Sequence, residues 1–170
     1  MPKTTLAISG LAALLLSSPC YANLQVQFIE GAPKDRFVIM NVGSCDIGAA
    51  EFTIDFATSN AGLIFDVTDT GAGVEVFQPF EVTVGAQYLT TMPTISDGDL
   101  QANLAMTGLG QNESIAFTID VDDTSGAREI TVADSEIRGT TVSLLVNDTV
   151  YSTVMDDGAQ VVIDTAICGS

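Results

Sequence analysis

The chain has 170 residues, of which 22 are acidic and five are basic; its formal net charge is -17, and it contains no His and no Trp. Without His, neither a Ser-His-Asp triad nor an imidazole zinc site can form, and the negative charge repels the phosphates of nucleic acids. With 46% hydrophobic and 16% charged residues, the composition is that of a globular domain rather than a solvated acidic tail.

The first 22 residues have the pattern of a secretory signal peptide. Lys3 supplies a positive charge, residues 6–16 form an apolar run too short to span a bilayer, and Cys20 and Ala22 place small residues at a cleavage site. A lipid anchor on Cys20 is the weaker alternative, because Pro19 precedes it. We expect cleavage near Ala22 and a secreted or periplasmic protein, with no transmembrane segment in the mature chain.

Residues 23–170 are the predicted mature chain, a single secreted β-sandwich domain. Removing residues 1–22 takes away Lys3 and no acid, which leaves 148 residues with four basic and 22 acidic side chains, a net charge of -18. Cys45 and Cys168 remain, and we expect them to form one disulfide in an oxidising compartment. The alternatives are two free thiols or a thiolate metal site, for which the pair lacks CxxC spacing.

Apolar residues alternate with polar or small ones along most of the chain from Leu24 onward, which is typical of strands with one buried face. Clusters of Gly, Pro, Asn and Asp separate the alternating runs, and no window supports a helix longer than two turns. The pattern predicts an all-β fold of about ten short strands, an antiparallel two-sheet sandwich with Ig-like or jelly-roll topology. The runs cover residues 24–28, 37–39, 52–56, 74–76, 82–84, 100–106, 115–121, 130–132, 142–146, 150–154 and 161–163.

Two acidic turn segments resemble each other. Residues 66–76 and 120–130 share an Asp-Val-x-Asp-Thr start, a Gly-Ala pair and a following strand pattern at a spacing of 54 residues, and residues 156–162 repeat a shorter version. Either an internal duplication or the independent use of good turn-forming residues accounts for this repetition.

The second of these segments is the predicted metal site. Asp120 and Asp122 point to one face of a strand, Asp123 adds an oxygen where the chain turns, and Glu129 follows the turn. Oxygen ligands of this kind suit Ca²⁺, although the loop lacks the Gly and Glu that an EF-hand requires. The alternative is an exposed acidic hairpin in which Arg128 pairs with one of the carboxylates. Secondary metal candidates are Asp66, Asp69, Asp156 and Asp157.

A glycoside hydrolase is the enzyme alternative, because that chemistry needs only two suitably separated carboxyl groups. Sugar-binding sites also use aromatic rings, and outside the predicted signal peptide the chain has no Trp and only Tyr88 and Tyr151. We therefore expect a protein that is not an enzyme and has no catalytic residues.

Several stretches resemble a known family. They are EGAPKDRF at residues 30–37, LIFDVT at 63–68, GAGVEVFQPF at 71–80, FTIDVDDT at 117–124 and REITV at 128–132. Over most of residues 24–145 the chain is similar to short exported bacterial proteins labelled aggregation factor core. The label refers to the core protein of sponge aggregation factors, which mediate calcium-dependent cell adhesion. The resemblance implies a secreted adhesion or matrix role, Ca²⁺ as the ion, and a protein or glycan at the cell surface as the partner.

The combined expectation is a non-enzymatic, secreted β-sandwich that supports adhesion or aggregation with the help of calcium. The main alternative is a soluble periplasmic structural or binding domain without a metal, whose acidic residues serve solubility.

Overall fold

The structure is a computed structural model that describes residues 21–32, 34–71, 73, 77–125 and 131–165. Within these ranges, helical structure is limited to α1 (Asp134–Ile137) and a 3-10 turn (Ala86–Tyr88). The strands in chain order are β1 (Ala22–Ile29), β2 (Asp35–Asn41), β3 (Ala50–Asp55), β4 (Leu63–Asp66), β5 (Glu81–Val84), β6 (Gln101–Met106), β7 (Ser114–Asp123), β8 (Thr141–Val146), β9 (Thr149–Val154) and β10 (Gln160–Thr165).

The strands form two antiparallel sheets. The first has the order β10-β1-β2-β7-β4, with β5 also paired to β7, and the second has the order β6-β3-β8-β9. The two sheets pack face to face around one hydrophobic core. This arrangement confirms the predicted all-β, antiparallel two-sheet sandwich.

The core is built from the alternating apolar residues. In β1, for example, Leu24 and Phe28 are buried, whereas the residues between them are partly exposed. The ring of Phe56, which follows β3 of the second sheet, lies 6.5 Å from the ring of Phe37 and 4.6 Å from that of Phe65, both in the first sheet. Each such ring contributes about 1.5–3 kcal/mol when it is fully buried, so these contacts hold the two sheets together.

One edge of β7 is covered by two strands placed end to end. β4 pairs with residues 120–123 and β5 with residues 116–118, and both run antiparallel to β7. The chain leaves this edge after Asp66 and is back beside it at Gln78, whose amide donates to the Asp66 carbonyl at 3.3 Å and whose carbonyl accepts from the Asp120 amide at 3.2 Å. We call the described residues between these two points, 67–71, 73 and 77, the excursion loop.

The other edge of β4 is covered by residues 97–99. Phe65 donates its amide to the Asp99 carbonyl at 3.0 Å, and its own carbonyl accepts from the Gly98 amide at 2.9 Å. These two bonds fix Asp97 beside the point where the excursion loop begins.

The beginning of the chain is described from Tyr21 onward. Ala22 is buried and is the first residue of β1, and the Ser44 amide donates to the Tyr21 carbonyl at 2.8 Å. Residues 1–20 of the predicted signal peptide lie outside the described residues. Cys45 is in a disulfide; Cys168 lies outside the described residues, so the Cys45–Cys168 pairing stays a prediction. In the described part of the chain, no helix is long and apolar enough to cross a membrane.

Candidate metal centre

The outer face of the β4–β7 pair carries acidic side chains. Along β7, Ile119 and Val121 point into the core, so Asp120 and Asp122 point to the opposite face. Asp66 of β4 lies directly opposite Asp120 in the strand register. Cross-strand neighbours have Cβ atoms about 5 Å apart, and like charges at that separation repel.

The carboxylates of Asp66, Asp120 and Asp122 form one cluster. Each offers an oxygen, and the three oxygens all lie within 4.8 Å of one another. Asp66 is 1% exposed, Asp120 is 5% exposed and Asp122 is 1% exposed. Charged side chains are seldom buried so completely without a partner. We call this cluster the Asp66 triad.

Several oxygens of the Asp66 triad lack a hydrogen-bond donor. Both carboxylate oxygens of Asp66 and Oδ2 of Asp120 are buried and accept no hydrogen bond. A buried acceptor without a partner costs about 1–3 kcal/mol, and more if it is charged. The three oxygens are hard ligands of the type that Ca²⁺, Mg²⁺ and Mn²⁺ prefer, so a divalent cation fits the cluster chemically.

The excursion loop lies directly against the triad. A Cβ atom built at Gly73 would overlap the carboxylates of Asp66 and Asp122, so any larger residue at this position would displace these two side chains. The sheet supplies the carboxylates from one side and the loop backbone closes them in from the other. An ion bound there would contact both the sheet and the loop.

Asp97 is a fourth carboxylate beside the triad. Its Oδ1 accepts hydrogen bonds from the amides of Val67 at 3.1 Å and Thr68 at 3.2 Å, the first two residues of the excursion loop. A Cβ atom at Gly71 would overlap the Asp97 carboxylate. Asp97 therefore fixes the start of the loop and adds negative charge next to Asp66.

The pKa values of the triad show how unfavourable three charges are here. Burial, together with the neighbouring carboxylates of Asp97 and Asp122, raises the pKa of Asp66 to about 8. Burial also raises the pKa of Asp120 to about 7, with added repulsion from Asp122 and Asp35. Without a cation, the site takes up protons close to neutral pH.

Asp35 is a buried carboxylate with a different role. Its Oδ2 accepts the Val121 amide at 2.9 Å and its Oδ1 accepts the Gly31 amide at 3.2 Å. Burial raises its pKa to about 7 despite these two bonds, and the charges of Glu30 and Asp122 contribute. Because both oxygens have donors, Asp35 closes the end of the β2–β7 pairing and is not a free ligand.

Of the predicted metal ligands, the structure brings together Asp120, Asp122 and the secondary candidate Asp66. Asp123 is buried but points to the opposite face of β7, as the two-residue period of a strand requires. Asp69 lies in an exposed turn of the excursion loop. Glu129 lies outside the described residues.

The other two secondary candidates, Asp156 and Asp157, lie in the exposed turn between β9 and β10. Asp156 Oδ1 accepts the Gly158 amide at 2.9 Å, and Asp157 forms an ion pair with Arg138 at 3.5 Å. Neither belongs to the Asp66 triad, and both already have local partners.

The two similar acidic segments of the sequence are neighbours in space. Asp66 and Asp120, the first residues of the two segments, stand opposite each other in the β4–β7 register. The sequence pattern predicted Asp66 as a secondary ligand that could form a lesser site or complete the one at Asp120, and it did not single out Asp97. The signal that would have identified Asp97 is weak, because Ser96-Asp97-Gly98 also satisfies an ordinary turn.

Comparisons with known proteins add little. No family model matches the chain, and no curated protein is significantly similar to it. A solved structure of a GH20 exo beta-N-acetylglucosaminidase from Vibrio harveyi, in complex with N-acetylglucosamine, is similar at 15% identity and a TM-score of 0.34. The match covers 80% of this chain but only 17% of that one. A likeness this low identifies neither a fold nor a function.

Proposed function

We propose that this protein is a non-enzymatic, exported β-sandwich that binds one divalent cation, Ca²⁺, at the Asp66 triad and supports adhesion or aggregation at a cell surface or matrix. The observation that carries the proposal is the burial of three carboxylates within 4.8 Å of one another, with both oxygens of Asp66 lacking a donor. A cation would supply the missing partner.

The described basic residues do not neutralise the triad. Lys34 pairs with Glu81 at 3.0 Å, Arg138 pairs with Asp157 at 3.5 Å, and Arg36 is exposed on β2. Arg128 lies outside the described residues. Protons would relieve only part of the repulsion at neutral pH, because the raised pKa values of Asp66 and Asp120 lie near 7–8.

Calcium suits this site better than magnesium. Mg²⁺ dehydrates reluctantly and keeps several waters in strict octahedral geometry, whereas Ca²⁺ accepts six to eight oxygen ligands, waters included, in flexible geometry. The close approach of Gly73 to Asp66 and Asp122 leaves little room for a hydrated ion. Carboxylates from two strands are ligands of the type that Ca²⁺ uses.

The ion would tie the excursion loop to the sheet and neutralise charge on a strongly acidic molecule. Both effects favour contact between this protein and an acidic partner surface, because they reduce repulsion and fix the shape of the loop. The resemblance to aggregation factor core proteins supports the same role and suggests a cell-surface protein or glycan as the partner. If no metal binds, a soluble periplasmic domain without metal becomes the better account.

The test is calorimetric titration of the purified protein with CaCl₂ after EDTA treatment and dialysis, with MgCl₂ and NaCl as matched titrants. We expect saturable binding of one Ca²⁺ and weaker binding of Mg²⁺. The absence of calcium binding at millimolar concentration would overturn the metal claim. The adhesion claim is tested separately: beads coated with the protein should clump in CaCl₂ and disperse in EDTA, and beads that stay dispersed in CaCl₂ would contradict it.

A further inference from the structure

The edge strands of the two sheets are protected to different degrees. The free edge of β6 is partly covered, because the Thr90 amide donates to the Ala105 carbonyl and the Thr107 amide to the Tyr88 carbonyl, each at 2.8 Å. β5 pairs irregularly and carries Glu81, and β10 carries Asp164. Charges, bulges and covering segments of this kind prevent edge-to-edge association.

β9 has none of these protections. It reads Thr-Val-Tyr-Ser-Thr-Val, without a charge, a Pro or a Gly, and its register with β8 is regular over all six residues. It is the last strand of its sheet, and among the described residues only β8 forms a strand pair with it. An uncharged, regular edge strand is a template for another strand.

The outward side chains of β9 are apolar at both ends. Val150 is 63% exposed and Val154 is 55% exposed, with Ser152 between them on the same face. Leu145, which is 41% exposed, stands opposite Val150 in the β8–β9 register. The second sheet thus ends in an apolar row that nothing in the described chain covers.

We propose that two copies of this chain associate through β9, with the two strands antiparallel about a two-fold axis at Ser152. Outward residues must pair with outward residues if the two sheets are to join into one. A register centred on Ser152 places Val150 of each copy opposite Val154 of the other copy. The most exposed valines are therefore buried against each other, and the two four-stranded sheets become one eight-stranded sheet.

A second copy fits this edge better than an unrelated partner because the pattern is self-complementary. A two-fold interface needs the same surface on both copies, and the Val-x-Ser-x-Val pattern of β9 is symmetric about its centre. In a chain with a net charge of -17, β9 is also an uncharged stretch along which two acidic molecules can approach. A single strand pair is a small interface, so the association is weak.

Salt dependence follows from the same register. The acidic turns at the two ends of β9, which carry Asp148 and Asp156, would come close to those of the other copy. Their repulsion is screened by salt, so NaCl should strengthen the dimer. The proposal goes beyond the metal-dependent function, because pairing of β9 involves no residue of the Asp66 triad and is expected in EDTA as well as in CaCl₂.

The first experiment is sedimentation equilibrium over a concentration series in EDTA, at low and high NaCl. We expect a monomer–dimer equilibrium that shifts towards dimer at high NaCl. Val150→Lys should weaken dimerisation by about tenfold or more, because the two-fold axis repeats the change at two cross-strand pairs. Met92→Lys is the matched control, since Met92 is 61% exposed and lies outside β9. A monomer at every concentration, or equal weakening by both variants, would overturn the proposal.

The second experiment tests the register by cross-linking. Ser152→Cys should form a covalent dimer under mild oxidation, because the two Ser152 positions meet at the axis. Val150→Cys alone should not, since its own counterpart is four residues away along the strand, about 14 Å. A mixture of Val150→Cys and Val154→Cys should cross-link, and Met92→Cys controls for random oxidation. Equal cross-linking by Ser152→Cys and Val150→Cys would contradict the register.

Discussion

Two acidic regions of this protein look alike in sequence and differ completely in structure. The Asp66 triad is buried between the β4–β7 pair and the excursion loop, whereas Asp156 and Asp157 occupy an exposed turn. In the exposed turn each aspartate already has a local partner, an amide for Asp156 and Arg138 for Asp157. In the triad, both oxygens of Asp66 have none.

An acidic cluster therefore indicates a ligand only where burial removes water. An exposed carboxylate is solvated and screened, so its charge costs little. A buried carboxylate beside two others requires a proton or a cation. If the two regions differ in cation binding, substitutions in the Asp66 triad should change the calcium response and substitutions in the exposed turn should not.

The largest effect is expected from the double substitution Asp120→Asn with Asp122→Asn. Calcium affinity should fall by about a hundredfold or more, because two of the three charged ligands are lost. At free calcium about 100 times the Kd of the unsubstituted protein, the lost stabilisation is about 2.3 kcal/mol for a hundredfold fall in affinity and approaches about 2.7 kcal/mol when binding is abolished. In EDTA near pH 8 the order should reverse, with the variant more stable than the unsubstituted protein, because the mutual repulsion is gone.

Chemical denaturation in CaCl₂ and in EDTA measures this reversal. The matched control is Asp156→Asn with Asp157→Asn, which makes the same change of charge in the exposed turn. If both double variants lose the same amount of calcium-dependent stability, the effect is one of general charge screening, and the triad is not a specific site.

The second effect is expected from Gly73→Ala. The added methyl group would overlap the carboxylates of Asp66 and Asp122, and overpacking of this kind costs about 1–3 kcal/mol. The variant should also lose most of its calcium response, since the methyl group enters the space between the loop and the triad. Thermal melts with and without CaCl₂ measure both quantities. Gly48→Ala is the control, because a Cβ atom at Gly48 would meet nothing within 4 Å; an equal response of the two variants would count against the site.

The third effect is the pH dependence of the metal-free protein. The folded-state pKa values of Asp35 and Asp120 are raised to about 7 and that of Asp66 to about 8, all above the ordinary value of 3.8. Between pH 4 and pH 8 the folded state therefore binds more protons than the unfolded state, and stability falls as pH rises through this window. Urea denaturation in EDTA at several pH values should show this fall, and saturating CaCl₂ should flatten it. A metal-free protein whose stability rises over this range would contradict the assigned environment of these carboxylates.

The smallest effect is expected from Arg138→Ala in the exposed region. The Arg138–Asp157 ion pair is 3.5 Å long, and the two side chains are 58% and 64% exposed. Exposed pairs contribute about 0–1 kcal/mol, so the free energy of unfolding should change by less than about 1 kcal/mol, with no change in the calcium response. A loss of calcium binding in this variant would contradict the assignment of the ion to the Asp66 triad.

The sequence alone predicted the fold class well and the site only in part. Alternation of apolar residues is a local property that any strand with one buried face must have, so the two-sheet sandwich followed from it. The same period correctly put Asp120 and Asp122 on one face. It also implies that Asp123 points the other way, yet the turn expected after Asp122 led to its inclusion as a ligand.

The partners of Asp120 and Asp122 depend on register, which no local pattern determines. Asp66 joins them because β4 pairs with the far end of β7, 54 residues away. Asp97 joins because residues 97–99 pair with the other edge of β4. Contacts between segments so distant in sequence arise only when the sheet assembles, and the turn signals around them would be the same without it.

The amino-acid sequence was sufficient to predict an acidic all-β sandwich that is rich in carboxylates and contains no His. The tertiary structure decided which carboxylates lose their water and meet, because burial and strand register are properties of the assembled sheets. It also decided which edge strand is left unprotected. The sequence shows where the carboxyl groups are, but the free-energy cost of ionising each one depends on the groups and the water that surround it.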